Sequence, residues 1–233
     1  MNCLLSSGAH DRWTEIHRFD LDDLRSKMVS VARENQWDIA ANEPRITDRE
    51  ILGSLLQPID EQADFIQGDN NYAIFYLLGR HFQPKAILEI GSRFGYSLRA
   101  FTKGAAYSPE DFRIVSYDAE CDGIQTLDIF EHHFREELKI VNLVVHRIDT
   151  KPAATLGMPD EFDLAHVDAD QSEQGCYHDC RLAWEALRPG GTLVVDDADN
   201  RDVEKGFKRF VAEVAKPYQF IPSFRGIYVC TKT

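Results

Sequence analysis

The sequence lacks the features of a membrane-spanning, secreted or nucleic-acid-binding protein. No apolar run approaches the roughly 20 residues that a membrane span needs. The first residues, MNCLLSSGAHDRW, lack the basic start and apolar core of a signal peptide. Lys and Arg number 26 against 39 Asp and Glu, so the net charge is -13. Because nucleic acids and anionic membranes attract basic surfaces, we expect neither as a partner.

Cysteine is too scarce and too irregularly placed for a disulfide framework. The five cysteines are odd in number, and no two are spaced as CxxC. Cys176, His178 and Cys180 suggest a metal cluster, but on a helix the histidine points away from the face that the cysteines share. We therefore expect a cytoplasmic protein with reduced thiols. Its 233 residues, 43% of them hydrophobic, are enough for one large domain.

From Ala86 onward, short apolar strands alternate with helical stretches. The strand segments are AILEI, FRIVSYD, KIVNLVVHRID, FDLAHVD, TLVVDD, YQFIPSF and IYVCTK, and the turn PGG precedes TLVVDD. Repeated βα units predict a parallel sheet with helices on both faces. The last two segments have no helix between them and are therefore expected to be antiparallel neighbours. We predict an α/β, Rossmann-like, doubly wound sheet of seven strands that ends in an antiparallel hairpin.

The residues before Ala86 have helical patterns and no strand pattern. Three stretches have apolar positions at helical spacing, DLDDLRSKMVSVARENQW, DREILGSLLQPI and NNYAIFYLLGRHF. We predict an N-terminal helical extension over residues 1–65 and an α/β domain over residues 66–233. The extension is expected to cover the ligand-binding edge of the sheet or to form the contact of a homodimer.

The first βα turn is the usual ligand site of a doubly wound sheet, and here it reads ILEIGSRFGYS. Gly91 and Gly95 are four residues apart, whereas a dinucleotide-binding turn would read G-x-G-x-x-G, so a pyrophosphate is disfavoured. Glycines let a ligand approach the main chain closely. Glu89 at the strand end suits a cationic or hydroxyl-bearing ligand. The alternative is that Glu89 caps a helix or pairs with Arg93.

Acidic residues also follow the second and third strands. Asp118 ends the second strand, where an acid can accept hydrogen bonds from a ribose diol. Asp149 ends the third strand, within reach of an adenine amino group. A ligand with an adenine, a ribose, a positive centre and no pyrophosphate matches S-adenosylmethionine.

The segments ILEIGSRFGYS, VSYDAE, FDLAHVDAD and LRPGGTLVVDD resemble the class I S-adenosylmethionine-dependent methyltransferases. Within that family they are most similar to the small-molecule O-methyltransferase branch, which includes catechol and sugar O-methyltransferases. The resemblance covers residues 70–233. It implies that the chain methylates a hydroxyl group of a small molecule. The cofactor-binding residues that it implies are Glu89, Gly91, Ser92, Gly95, Tyr96, Ser97, Asp118 and Asp149.

A cluster of acids follows the fourth and fifth strands, in HVDAD and VVDDADN. Neighbouring parallel strands lie about 5 Å apart, so these carboxylates meet at one edge and repel unless a cation or a proton joins them. Hard oxygen ligands suit Mg²⁺, and we expect Mg²⁺ or Mn²⁺ here. The resemblance implies that Asp168, Asp196 and Asp197 bind the metal, with Asp168 as the catalytic residue.

The chain departs from the metal-dependent relatives in two places. Catechol enzymes have Asp-Asn where this chain has Asp196-Asp197, and a lysine where it has Gln171, which cannot take up a proton. Two alternatives therefore stay open, a cofactor-binding protein without activity and a metal-independent methyltransferase. Among nearby residues, we expect His166 to be a packed histidine of the sheet and Asp170 to be a helix N-cap. Asp199 or Asn200 is expected to cap the next helix.

Overall fold

The computed structural model describes residues 71–105, 108–120, 126–223 and 225–233, together with Ile51, Gly53 and Leu55. Apart from those three residues, the predicted N-terminal extension over residues 1–65 lies outside the described residues. The domain boundary at residues 65–66 also lies outside them and stays a prediction. Ile51 and Leu55 are fully buried in the core.

Helices and strands alternate along most of the described chain. The helices are α1 (Asn71–Phe82), α2 (Tyr96–Gly104), α3 (Thr126–His132), α4 (Glu173–Ala186) and α5 (Arg201–Val214). The strands are β1 (Ala86–Ile90), β2 (Arg113–Tyr117), β3 (Asn142–His146), β4 (Phe162–Val167), β5 (Leu187–Val195), β6 (Tyr218–Ile221) and β7 (Ile227–Thr231). A wider π-type turn over His133–Glu137 continues α3.

The strands form one seven-stranded sheet in the order β3-β2-β1-β4-β5-β7-β6. Strands β1 to β5 run parallel to one another, and β7 is antiparallel to both β5 and β6. The predicted doubly wound sheet with a C-terminal antiparallel hairpin is confirmed. The order reverses between β1 and β4, and this reversal opens the crevice in which such sheets bind ligands.

The sheet separates two apolar cores because successive side chains of a strand point to opposite faces. Ile87 of β1 packs with Phe75 of α1 and with residues of α2 and α3. Leu88, the next residue, packs with Phe207 of α5 and with residues of α4. Glu89, one residue further along, therefore points to the face that α1 and α2 cover. No helix in the described part of the chain is long and apolar enough to cross a membrane.

Strand β5 begins earlier than the sequence predicted. It starts at Leu187 rather than at Thr192 and includes the PGG segment. Its pairing with β4 shifts register between Phe162 and Leu164, which lie opposite Leu187 and Thr192. The residues between these two pairs accommodate the shift, and Gly190 takes a left-handed φ of 84° there. The PGG segment is therefore an irregularity within the strand rather than a turn before it.

The caps of α4 and α5 were predicted with mixed success. The N-cap of α4 is Ser172, whose side chain accepts a hydrogen bond from the Gly175 main chain at 3.1 Å. The prediction of Asp170 as this cap is wrong. Asp170 lies two residues too early and accepts a hydrogen bond from the main chain of Ser172 instead. Asn200 caps α5 by accepting from the Asp202 main chain at 3.0 Å, as expected.

Candidate active site

The carboxyl ends of the parallel strands are tied together by main-chain hydrogen bonds. Gly91 after β1 donates to Tyr117 of β2 at 2.8 Å, and Asp168 after β4 donates to Ile90 of β1 at 2.9 Å. Asp196 after β5 donates to the last residue of β4 at 3.1 Å. The acids that follow β1, β4 and β5 are therefore held at one edge of the sheet.

Glu89 is fully buried and bound on one side only. Its Oε1 accepts a hydrogen bond from Ser97 Oγ and lies 2.8 Å from His166 Nδ1 of the neighbouring strand. The His166 ring packs edge-to-face on Phe75, with ring centroids 4.9 Å apart. His166 is thus a packed histidine, as expected. Oε2 of Glu89 is buried and has no hydrogen-bond partner among the described residues.

The two glycines of the first turn are required by contacts within the protein. Gly91 and Gly95 have left-handed φ values of 93° and 82°. A Cβ on Gly91 would lie 2.2 Å from the carbonyl oxygen of Asp168, and one on Gly95 would lie 2.2 Å from the Phe130 ring. The sequence suggested that the glycines clear space for a ligand. The space beside them is instead filled by the end of β4 and by α3.

Ser92 and Tyr96 flank the turn on either side. Ser92 Oγ lies 2.6 Å from Ser116 Oγ of β2, and both side chains are buried. The Tyr96 ring packs edge-to-face on Tyr72 of α1, with centroids 5.8 Å apart. Its hydroxyl is buried with no hydrogen-bond partner in the described ranges. Burial raises the pKa of this phenol, against an opposing effect of the positive charge of Arg93.

Asp118 joins the first and second turns. Its Oδ2 accepts a hydrogen bond from the Arg93 main chain at 2.7 Å, and its Oδ1 accepts from the Glu120 main chain at 2.7 Å. The side chain is half-buried. Asp149 lies three residues beyond the end of β3, where its Oδ1 accepts from the Lys151 main chain at 2.9 Å. No hydrogen bond is seen between Asp149 and the other predicted site residues.

Asp196 and Asp197 after β5 are bridged by an arginine. Arg225, in the loop between β6 and β7, places Nη2 3.2 Å from Asp196 Oδ2 and Nη1 3.1 Å from Asp197 Oδ1. Asp196 Oδ1 accepts from Asn71 Nδ2 at 2.6 Å and from the Asp197 main chain at 2.8 Å. Asp197 Oδ2 accepts from Gln171 Nε2. All four carboxylate oxygens therefore have donors within the protein.

Asp168 is a half-buried residue and differs from these two acids because its carboxylate has no hydrogen bond within the described ranges. Burial raises its pKa well above the ordinary range, and the carboxylates of Asp197 and Asp196 raise it further. The guanidinium of Arg225 opposes this shift. Asp168 is therefore the acid of this cluster that is left to contact a ligand.

The acid cluster does not fit the divalent ion that the sequence predicted. In the described ranges, no group of three or more His, Cys, Asp or Glu side chains is arranged to hold a metal ion. Mg²⁺ needs oxygen ligands at about 2.0–2.1 Å in near-ideal octahedral geometry. The guanidinium of Arg225 lies between the carboxylates of Asp196 and Asp197, so an ion bridging them would displace or face a fixed positive charge.

Residues 88–198 match a family model described as a methyltransferase domain. The chain carries a methyltransferase domain. The resemblance to the class I methyltransferases and the assignment of the chain as a methyltransferase are therefore confirmed. No curated protein sequence matches the chain with significance.

Solved methyltransferase structures share the fold of this domain. An SAH-bound methyltransferase from Podospora anserina aligns with a TM-score of 0.61 at 16% identity, over 92% of this chain and 97% of that one. The O-methyltransferase TomG from Streptomyces achromogenes, in complex with SAM, gives 0.53 at 19% identity, over 97% and 96%. An O-methyltransferase from Bacillus cereus, in complex with SAH, gives 0.52 at 16% identity, over 97% of each chain. At these identities the likeness establishes the fold.

Sequence reasoning missed Asn71 and Arg225, which contact the acids after β5. The predicted hairpin could have indicated that Arg225 lies near the acids after β5. An antiparallel strand beside β5 begins at the edge where β5 ends, so the residue before that strand comes close to the acids after β5. Asn71 is the first residue of α1 and lies 125 positions from Asp196, with no local pattern to connect them.

Proposed function

We propose that this methyltransferase transfers a methyl group from S-adenosylmethionine to a hydroxyl oxygen of a small molecule at the carboxyl edge of the sheet. The observation that carries the proposal is the buried, unpaired Oε2 of Glu89 beside the glycine turn. A buried carboxylate oxygen without a donor is costly, so this position favours a ligand that brings an ammonium or hydroxyl donor.

The residues of the edge suit the parts of S-adenosylmethionine. Glu89 would accept a hydrogen bond from the methionine ammonium through Oε2. Asp118 has lone pairs left on both oxygens after binding two main-chain groups, and these would accept the ribose hydroxyls. The N-terminus of α2, at Tyr96 and Ser97, would face the methionine carboxylate. Gly91, Ser92 and Gly95 would form the wall of this pocket, and Asp149 would lie at the adenine.

Asp168 is proposed as the residue that contacts the acceptor hydroxyl. Bound S-adenosylmethionine supplies an activated methyl group on its sulfonium. The protein must hold the acceptor oxygen in line with this group, which is a contribution of proximity and orientation. The carboxylate of Asp168, a half-buried residue, can accept the proton of the acceptor hydroxyl. Gln171 cannot do so, and its amide is bound to Asp197.

The solved neighbours and the donors around the acid pair support this function over its alternatives. The solved neighbours include two O-methyltransferases in complex with SAM or SAH. The metal-assisted form, with Mg²⁺ or Mn²⁺ at Asp168, Asp196 and Asp197, is not part of the proposal because the donor set does not fit. The other predicted alternative, a cofactor-binding protein without activity, is favoured only by Gln171 at the base position. A homodimer contact and a cytoplasmic location stay predictions.

Calorimetric titration with S-adenosylmethionine and S-adenosylhomocysteine tests the cofactor site. We expect Glu89→Gln to weaken binding of both by about tenfold to a hundredfold, because a hydrogen bond to a charged group contributes roughly 1.5–3 kcal/mol. Glu136→Gln, on the exposed surface of the π turn, is the matched control and should bind as the wild type does. Wild-type protein that binds neither compound would refute the proposed function.

Acceptor turnover separates an enzyme from a cofactor-binding protein without activity. Incubation with labelled S-adenosylmethionine and a panel of small phenols and catechols should transfer label to at least one of them. We expect Asp168→Asn to lower the transfer rate by about a hundredfold, the usual contribution of a positioned proton acceptor. If the protein binds the cofactor but transfers label to none of the acceptors, the result would favour a cofactor-binding protein without activity.

A further inference from the structure

The loop between β6 and β7 places a fixed cation where the sequence predicted a metal ion. The main chain of Arg225 accepts a hydrogen bond from Asp199 at 2.8 Å, and Gly226 accepts one from Ala198 at 3.1 Å. Gly226 has a left-handed φ of 70°, and a Cβ there would lie 2.9 Å from Phe220 and 3.2 Å from Ala198. The loop is therefore bound to the end of β5, and the position of Arg225 is set by the fold.

The guanidinium of Arg225 satisfies two carboxylates that would otherwise repel. Asp196 and Asp197 are 2% and 6% exposed, so neither can rely on water to disperse its charge. The Arg225 side chain is itself 16% exposed and stays protonated at any physiological pH. Its planar fork reaches one oxygen of each acid, a geometry that the single ammonium of a lysine does not offer.

The other two donors of the cluster complete this arrangement without a metal. Asn71 of α1 binds Asp196, and Gln171 before α4 binds Asp197. Both donors are amides, which supply hydrogen bonds to carboxylates without adding charge. The pair of acids is thus held from α1, from the loop before α4 and from the loop before β7.

We propose that Arg225 replaces the divalent cation at this edge, so that this chain positions Asp196 and Asp197 and performs methyl transfer without a metal. Arg225 is a positioning residue because it acts through the two acids. The statement that methyl transfer needs no metal rests on the proposed function. The inference that the acid pair excludes a metal does not need that function, because it rests on the contacts of Arg225, Asn71 and Gln171 with the two acids.

Binding of Mn²⁺, followed by the electron paramagnetic resonance signal of the free ion, tests this proposal without cofactor or acceptor. We expect the chelator-treated wild-type protein to leave millimolar Mn²⁺ free. Arg225→Met should bind Mn²⁺ at least about tenfold more tightly than the wild type, because it removes a positive charge within a few ångströms of the ion. Arg181→Met is the matched control and should behave as the wild type does. It removes an arginine of α4 that pairs with Glu213 of α5.

The wild-type measurement decides the proposal even if Arg225→Met fails to fold. Micromolar binding of Mn²⁺ by wild-type protein that Asp197→Asn abolishes would overturn it. Absent binding, or binding that Asp197→Asn leaves unchanged, supports it. S-adenosylhomocysteine titration is run on the same samples. Failure to bind S-adenosylhomocysteine would refute the proposed function, whereas Mn²⁺ at the acid pair would refute only the role of Arg225.

Discussion

At the scale of single residues, the described chain holds a further buried acid, Asp179, away from the candidate site. Asp179 of α4 is 1% exposed, and its Oδ1 accepts a hydrogen bond from Thr150 Oγ1 at 2.8 Å. Thr150 follows Asp149, so this contact fastens the loop after β3 to α4. Burial raises the pKa of Asp179 from 3.8 to about 6, while the Thr150 hydrogen bond and the nearby His178 oppose the shift.

The raised pKa of Asp179 makes a defined contribution to the pH dependence of stability. Between pH 3.8 and about 6 the folded protein retains a proton that the unfolded chain releases, so this contribution falls as pH rises through that window. Asp179→Asn removes the charge and keeps an oxygen for Thr150. We expect it to raise the free energy of unfolding at pH 8 by about 2–3 kcal/mol and to leave it nearly unchanged below pH 4.

Denaturant unfolding between pH 4 and pH 8 checks this expectation. Asp111→Asn, at an exposed acid, is the control and should shift neither the stability nor its pH dependence. An Asp179→Asn protein whose stability changes with pH as that of the wild type does would show that Asp179 does not titrate in this window.

At the scale of elements, the start of α2 depends on packing against α3. Gly95 is the N-cap of α2, has a left-handed φ of 82° and provides no side-chain cap. A Cβ there would meet the rings of Phe130 and Phe134 at 2.2 Å and 3.0 Å. Because both rings are fully buried, they have little room to move aside.

Gly95→Ala is expected to destabilise the fold by about 2–5 kcal/mol. It combines the cost of a left-handed alanine, roughly 1–2 kcal/mol, with that of overpacking, roughly 1–3 kcal/mol. Gly157→Ala is the matched control, since Gly157 has a φ of 70° but no atom within 4 Å of an added Cβ. The control should incur only the conformational cost. Denaturant unfolding measures the free energy of unfolding of both variants. An equal decrease in the two would contradict the packing argument.

At the scale of the whole molecule, charge sets the conditions under which the chain is most stable. The net charge of -13 makes the folded chain repel itself at low ionic strength. Moderate salt screens this repulsion, because the Debye length falls to about 10 Å at 0.1 M. We therefore expect the midpoint of thermal unfolding to rise when NaCl is added to a low-salt buffer, whereas a fall would show that attractive ion pairs outweigh the net charge.

The same charge predicts that nucleic acid is not a partner. Labelled duplex DNA and single-stranded RNA should show no change in fluorescence anisotropy with micromolar protein even at low salt, where such binding is strongest. Saturable binding under these conditions would reveal a basic surface that the overall composition conceals.

The sequence by itself determined the sheet, its hairpin and the edge at which the acids gather. Alternating apolar strands and helices leave few topologies, and parallel strands bring their carboxyl ends together whatever the loops do. These inferences need only the spacing of apolar residues along the sequence and the direction in which each strand runs. Glu89, Asp168 and Asp196 could therefore be assigned to one edge without coordinates.

The tertiary structure alone decided which partners those acids have. His166 beside Glu89 depends on the register of β1 against β4, and Arg225 between Asp196 and Asp197 depends on the loop before β7. The glycine turn looked open in the sequence because the atoms that fill it come from β4 and α3. A pattern along the chain specifies which edge a carboxylate reaches. Only the packing of distant segments specifies whether a metal, an amide or a guanidinium neutralises it.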